Sequence, residues 1–285
     1  MAADITAIIL TKNEEINIAD CIESVIKTVK RIVVIDSYST DRTVEIVKGY
    51  SAEVYQHPFE NYAKQFMYGI EISNIDTMWT LRIDADERLT PDSAAELEKL
   101  CDDNMDNDVS GIVLRFKKNF LGKDLRHGGV YPWKKMNCYK TKLGTIENRK
   151  MDEHIILSSG NVIEMKNDSL HFDFKSLEHF VAKHNWYSSR ETVDYFEHTE
   201  QYKQKKQIDF KTWIKMNIYY RLPLGMRAHV YYLYRYYILR GFLDGREGKI
   251  YAFLQAYWYR YLVDAKIYEC KVMGIRYKGE GALKA

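Results

Sequence analysis

The sequence predicts an α/β protein: a doubly wound mixed sheet followed by a helical C-terminal region. Three observations predict it. Over the first hundred residues, short β-branched apolar runs alternate with segments of helical period, the pattern of a largely parallel sheet flanked by helices. Residues 109–172 change to strand-like runs joined by tight turns. From Lys175 onward the apolar period is helical. At 285 residues, 46% hydrophobic and 29% charged, the chain is long enough and apolar enough to bury a substantial core.

Element by element, Ile5–Leu10 reads as a buried strand bounded by Thr11-Lys12-Asn13-Glu14, with Asn13 as a helix cap. Ile18, Ile22, Val25 and Val29 recur at helical spacing, and Arg31–Asp36 is a second strand. Ser39–Thr43 opens a helix through Val44 and Val47, where the charge and side chain of Asp41 suit the helix start. Glu53–Tyr55 is a third strand. Phe59, Ala63, Phe66, Met67 and Ile70 mark a third helix, Trp79–Asp84 a fourth strand, and Pro91 starts a helix through Leu97 and Leu100. Runs at 112–120, 136–142 and 154–165 read as further strands, turning at Gly122, Gly128-Gly129 and Ser159-Gly160. Leu177, Val181, His184, Ser188 and Tyr195 share one helical face, and two more helices are expected at about 226–243 and 250–272. The expected domains are 1–172, with halves at about 1–105 and 106–172, and 173–285.

Four cysteines lie far apart without a CxxC pair, so disulfide scaffolding is excluded and they read as buried thiols of a reducing compartment. Residues 1–11 have no basic stretch or cleavage site, and no window of eighteen apolar residues occurs, so a cytoplasmic protein is expected. Net charge is only +2, but residues 201–285 hold 17 Lys and Arg against 6 Asp and Glu. Tyrosine is skewed the same way, which suggests a back half with a partner of its own.

The strongest chemical signal is Asp84-Ala85-Asp86-Glu87 at the end of a buried strand. Strand alternation puts residues i and i+2 on one side, so Asp84 and Asp86 can face one hard cation, Mg²⁺ or Mn²⁺. Ligands in open α/β sheets bind at the carboxyl ends of strands, where Thr11, Asn13 and Asp36 also fall. Read alone, each has a plainer role: Asp86 as a helix cap, Glu153 as a surface carboxylate, His171 and His184 as core histidines.

The order strand-TKNEE, VVIDSYSTDRT, then LRIDADERLTP resembles family 2 glycosyltransferases of the GT-A fold, in particular the bacterial branch acting on lipopolysaccharide core, capsule or other envelope glycans. The likeness continues through His127-Gly128-Gly129-Val130-Tyr131-Pro132, Met151-Asp152-Glu153-His154-Ile155, Leu170-His171-Phe172-Asp173 and Lys183–Ser188, and returns at Gly241–Gly248. The resemblance implies a GT-A-like fold and an inverting, metal-dependent hexosyltransferase. Its donor would be a nucleotide-sugar, with uridine as the base, and its acceptor a glycan or lipid-linked saccharide. Thr11, Asn13, Glu14 and Asp36 would line the nucleotide, Asp84 the ribose or metal shell, and Asp86 the metal. His171 would be a third ligand or a phosphate contact, and Glu153 the general base, with Asp152 beside it. The branch commonly has Gln-Arg-Asn where this chain has Gln65-Phe66-Met67, and an Arg where it has Asn137; Lys64 or Lys135 are the available substitutes.

The implied roles agree with elementary chemistry. A cation neutralises charge growing on the departing diphosphate, and a carboxylate takes the proton of the attacking hydroxyl. Two rivals are a sugar-1-phosphate nucleotidyltransferase and a non-catalytic envelope-assembly protein on the same fold. The first would want a glycine-rich phosphate loop after the first strand, and TKNEE is not one; neither GxGxxG nor GK[ST] occurs. The basic, Tyr-rich helices suit the interface of an anionic membrane, giving peripheral attachment to the cytoplasmic leaflet, or else a bundle packed on the catalytic domain. Helical tyrosines among aliphatics do not suit nucleic acid. The oligomeric state is left open.

Overall fold

The structure, a computed structural model, describes residues 2–147, 154–204 and 222–277, with side chains through residue 197 in the second stretch. It falls into two units. One runs to Asn119 and resumes over Pro132–Asp173; the other comprises Phe120–Tyr131 and the chain from Phe174.

The first unit is a mixed sheet in the order β3-β2-β1-β4-β8-β6-β11-β5. β1 (Ala3–Thr11), β2 (Val29–Asp36), β3 (Glu53–Gln56) and β4 (Trp79–Asp84) are parallel. β8 (Trp133–Lys140) runs antiparallel between β4 and β6 (Val109–Phe120). β11 (Asn161–His171) is parallel to β6, and β5 (Glu87–Arg88) antiparallel to β11. β9 (Gly144–Ile146) and β10 (Ile155–Leu157) form a separate hairpin, and β7 (Lys123–Leu125) lies in the second unit.

Alternation along β1 explains why helices cover both faces. Ile5, Ala7 and Ile9 join one core cluster with Ile18, Ile22 and Val25 of α1 (Ile18–Val25) and Leu97 and Cys101 of α4 (Pro91–Asp103). Ile8 and Leu10 join the opposite cluster with Ala63 and Phe66 of α3 (Tyr62–Ser73). Register then sets the site: Thr11 lies opposite Asp36, Leu10 opposite Asp84, and His171 opposite Glu87, so the strand ends carrying polar residues are neighbours.

Local differences from the sequence reading have physical causes. Val29 is not helical: α1 ends at Val25, and Val29 starts β2 paired with Ala3. Asn13 is not a cap; it has φ 53°, and α1 begins only after Asn17. Asp41 does serve the start of α2 (Thr43–Lys48), accepting from the Thr43 N–H at 3.0 Å. In α5 (Leu177–Gln204) the buried stripe is Phe180, His184, Ser188 and Thr192, whereas Leu177 and Val181 are exposed. Phe180 sets that rotation by entering an aromatic cluster with Phe120, Phe174 and Tyr251.

The expected helix at 226–243 is broken. α6 (Met226–Leu233) continues as a π-helical stretch to Ile238, and Arg240 then takes φ 57°. A 3₁₀ turn over Gly241–Asp244 leads into α7 (Gly245–Tyr251), a π-helical stretch over Ala252–Trp258, and α8 (Tyr259–Met273). The break falls where two backbones meet: a Cβ on Gly241 would stand 3.0 Å from the Arg235 carbonyl oxygen and 3.4 Å from the Gly128 Cα.

Candidate active site

The loops after β1 and β2 are laced together. The Asn13 N–H donates to Ser39 Oγ at 2.8 Å, and Asn13 Oδ1 accepts from the Thr40 N–H at 2.8 Å. The Glu14 N–H donates to Thr43 Oγ1 and the Glu15 N–H to Asp41, while Lys12 Nζ reaches the Ser37 carbonyl at 2.9 Å. Asp36 is fully buried, and its carboxylate accepts from the Ser39 N–H, the Ser39 hydroxyl and Gln56 Nε2. Gln65 ties in the third strand end, donating to Ser37 Oγ and pairing with His57 Nδ1 at 2.9 Å. Thr11 is buried, and its hydroxyl lacks a hydrogen-bond partner among the described residues.

At the end of β4 the chain turns at Ala85-Asp86, which ends strand alternation and sends the two aspartates to different neighbours. Asp84 meets Lys135 Nζ at 3.3 Å, with Arg82 Nε at 3.9 Å. Asp86 Oδ2 lies 3.6 Å from His171 Nε2, and the Asp86 carbonyl accepts from the Phe172 N–H, holding the turn on the strand that carries His171. Behind both, the fully buried Glu87 accepts from the Asp84 N–H at 3.0 Å, Lys135 Nζ at 2.9 Å and Asn137 Nδ2 at 3.3 Å. Trp133 covers this corner: its ring is 4.6 Å from the His171 ring and 4.7 Å from Lys135 Nζ.

The electrostatics follow. Burial pushes Asp84 up, but Lys135 and Arg82 outweigh it and hold the carboxyl below its ordinary value. Glu87 is pushed above its ordinary value, chiefly by burial and despite Lys135. Burial alone would lower Lys135; Glu87 and Asp84 overcome it and keep the ammonium charged. Burial and the same carboxylates push the Cys21 thiol up, so it is an inert neighbour.

Thr11, Asp36, Asp84 and His171 thus lie at strand ends, with Asp86 in the turn between β4 and β5 and Asn13 and Glu14 on the first loop. Lys64 is exposed on the first turn of α3 and paired with Glu60. Glu153 and Asp152 lie outside the described residues. His184 is buried, stacked on Phe180 with Nδ1 against the Phe180 carbonyl, a structural role. Other cations stand near the two departures from the branch: the Arg82 guanidinium lies 5.5 Å over the Phe66 ring, and Lys135 lies beside Asn137's partner Glu87. Sequence reasoning missed Arg82, Glu87 and Trp133. Only Glu87, adjacent to the two aspartates, carried a signal.

Among the described residues no three His, Cys, Asp or Glu side chains group to hold a metal by themselves. The donor set still suits a divalent ion completed by phosphate oxygens. Asp86 and His171 stand together at a distance too long for a hydrogen bond, and the buried Oδ1 of Asp84 has no hydrogen-bond partner among the described residues.

The family described as Glycosyl transferase family 2 matches residues 6–157. The lipopolysaccharide core biosynthesis glycosyltransferase LpsC of Rhizobium meliloti is 25% identical over 285 residues, 98% of this chain and 97% of that protein. An uncharacterized glycosyltransferase of Rickettsia felis is 28% identical over 200 residues, 67% of this chain and 69% of that protein. Among solved structures, glucosyl-3-phosphoglycerate synthase from Mycobacterium tuberculosis, in complex with Mn²⁺, UDP and glucosyl-3-phosphoglycerate, matches at 14% identity with a TM-score of 0.41 over 62% of this chain and 75% of that one. TarS of S. aureus matches at 17% identity with a TM-score of 0.36 over 50% of this chain, and the chain spans 28% of its length. The mixed sheet and its helical C-terminal part agree with the GT-A fold that the sequence resemblance implies. With more than half of its length matched, the chain belongs to glycosyl transferase family 2 and is a glycosyltransferase.

Proposed function

We propose that the protein transfers a sugar, with inversion, from a nucleoside-diphosphate sugar to a hydroxyl of a glycan or lipid-linked saccharide during cell-envelope polysaccharide synthesis. The observation that carries this reading is the strand-end cluster: Asp84, Asp86 and His171 beside the laced loops that bear Thr11, Asn13 and Asp36. Thr11, Asn13, Glu14, Asp36 and Asp84 line the nucleotide, which is uridine by the family resemblance. The envelope setting is supported by likeness along almost the whole chain to a protein named for lipopolysaccharide core biosynthesis.

Asp86 and His171, with Asp84 beside them, would hold Mn²⁺ or Mg²⁺. When bound, such an ion neutralises charge on the departing diphosphate. Lys135 and Arg82 add fixed positive charge at the same corner and need no reorganisation as the bond breaks. Trp133 shields His171 and Lys135 from water. On the family resemblance Glu153 is the general base, worth about 10²–10⁴-fold in rate.

The same reading places the protein peripherally on the cytoplasmic face of the membrane. The second unit supports this by exposing Leu233, Tyr237, Ile238, Phe242, Leu243 and Phe253 beside the exposed Arg240, Arg246 and Lys249. Among the described residues no helix is long and apolar enough to cross a membrane.

The test is nucleoside-diphosphate release from a panel of nucleotide-sugars with and without Mn²⁺, for wild type and Asp86→Ala. The reading expects Mn²⁺-dependent release that Asp86→Ala loses by about 10²-fold or more. Equal turnover in both proteins would remove the metal role.

A further inference from the structure

Two sequence motifs stand outside the donor chemistry, His127-Gly128-Gly129 and Gly241–Gly248, and in the second unit they are parts of one device. Asp244, with its side chain 6% exposed, accepts from the Arg126 N–H at 3.0 Å, the His127 N–H at 2.8 Å and His127 Nδ1 at 2.7 Å. Arg235 Nε donates to the Gly128 carbonyl at 2.6 Å, and the Gly128 N–H donates to the Leu239 carbonyl at 2.8 Å. The clasp tolerates little change: a Cβ on Gly248 would stand 2.5 Å from the Asp244 Cβ and 2.6 Å from the Gly241 carbonyl oxygen.

All this restraint falls on a side chain that is not buried. His127 keeps 38% of its side chain exposed. A carboxylate accepts and does not donate, so Nδ1 carries a proton, and in the neutral imidazole Nε2 is then the acceptor on the other side of the ring. Two of the three hydrogen bonds that Asp244 accepts hold the loop backbone, and the third, at Nδ1, fixes the orientation of the ring and, in the neutral imidazole, its tautomer. That is the arrangement that prepares a neutral imidazole to accept a hydrogen bond from a hydroxyl. Arg126 and Arg240 beside the clasp, and Arg246 in the first turn of α7, are exposed, which suits a saccharide that also bears anionic groups.

We propose that His127 is a binding residue for a hydroxyl of the acceptor saccharide, with Asp244 as its positioning residue. The assignment rests on the transferase reading for the word acceptor, but the site and its chemistry stand on the second unit alone.

The probe is a deacylated lipopolysaccharide core oligosaccharide added to the full-length protein. The readout is the long-range proton–nitrogen spectrum of the eight imidazoles, with His127 assigned by His127→Gln. At a pH alkaline enough to leave the imidazoles neutral, the expected result is one Nδ1–H tautomer for His127, whose Nε2 signal moves on addition of the oligosaccharide. His127→Ala should weaken oligosaccharide binding at least tenfold. Asp244→Asn should lose the single tautomer and weaken binding likewise, and His127→Gln, which keeps an acceptor oxygen, should restore part of it. A His127 signal that the oligosaccharide leaves unmoved, or binding by His127→Ala within twofold of wild type, would overturn the proposal. Absence of nucleotide-sugar turnover in wild type would count against the donor chemistry instead, because the imidazole spectrum needs no donor.

Discussion

Lys135 bridges the fully buried Glu87 and the half-buried Asp84, and no other ammonium meets those two carboxylates among the described residues. Removing one partner of such a buried pair strands charge and costs about 3–5 kcal/mol. Lys135→Met should therefore lower thermal stability sharply at neutral pH. The sign with pH is specific. Without the ammonium both carboxyls rise above their unfolded values, so the variant's folded state takes up protons more readily and its penalty shrinks as pH falls from 7 toward 4. Melting curves across that range check it, and a gap from wild type that stays constant would contradict the pairing. Asp86→Ala is the contrasting case at the same corner. On the proposed function Asp86 acts in bond breaking, and that proposal expects activity to fall by about 10²-fold or more with a far smaller stability loss than Lys135→Met shows. Sequence made Asp86 and Asp84 legible through their spacing. It could not show that a turn at Ala85 gives them separate neighbours, because that depends on β5 pairing with the distant β11.

At the scale of elements, the loops after β1 and β2 act as one surface. Asp36 is the knot: it is buried, and Ser39 and Gln56 fill its carboxylate from two directions. Asp36→Ala should leave those donors unsatisfied and cost about 2 kcal/mol or more even without nucleotide, measured by denaturant unfolding of the apo protein. A variant as stable as wild type, impaired only in nucleotide binding, would give Asp36 a ligand role without the structural one. The elements themselves were largely legible. Trp79–Asp84 and the start at Pro91 are where the β-branched run and the proline put them, because local pattern and burial agree there. The failures occur where distant chain decides. The face of α5 follows Phe180 into a cluster with Phe120 and Tyr251, and the helix at 226–243 breaks where Gly241 meets Gly128. Neither partner lies within a helical turn of the residue it redirects, so no periodicity could reveal them.

For the molecule as a whole, the asymmetry of charge in the sequence has a counterpart in exposure. Among the described residues, most of the large apolar side chains left open to solvent lie in the second unit, where α6 alone presents Met226, Val230 and Leu233, followed by Tyr234, Tyr237 and Ile238 along the same helix. Spacings of three and four residues put these on one stripe. On the proposed membrane attachment, an anionic bilayer would cover this stripe and meet the neighbouring arginines and lysines, each worth roughly 1 kcal/mol near the surface. Co-sedimentation should therefore show binding to vesicles containing anionic lipid and little to neutral ones, weakening as salt shortens the screening length. Replacing Ile238 and Leu243 by Ser should weaken binding at every salt concentration, because it removes buried apolar area. Replacing Arg240 and Arg246 by Gln should instead flatten the salt dependence. If both pairs behaved alike, or neutral vesicles bound as well as anionic ones, the stripe would have some other cover.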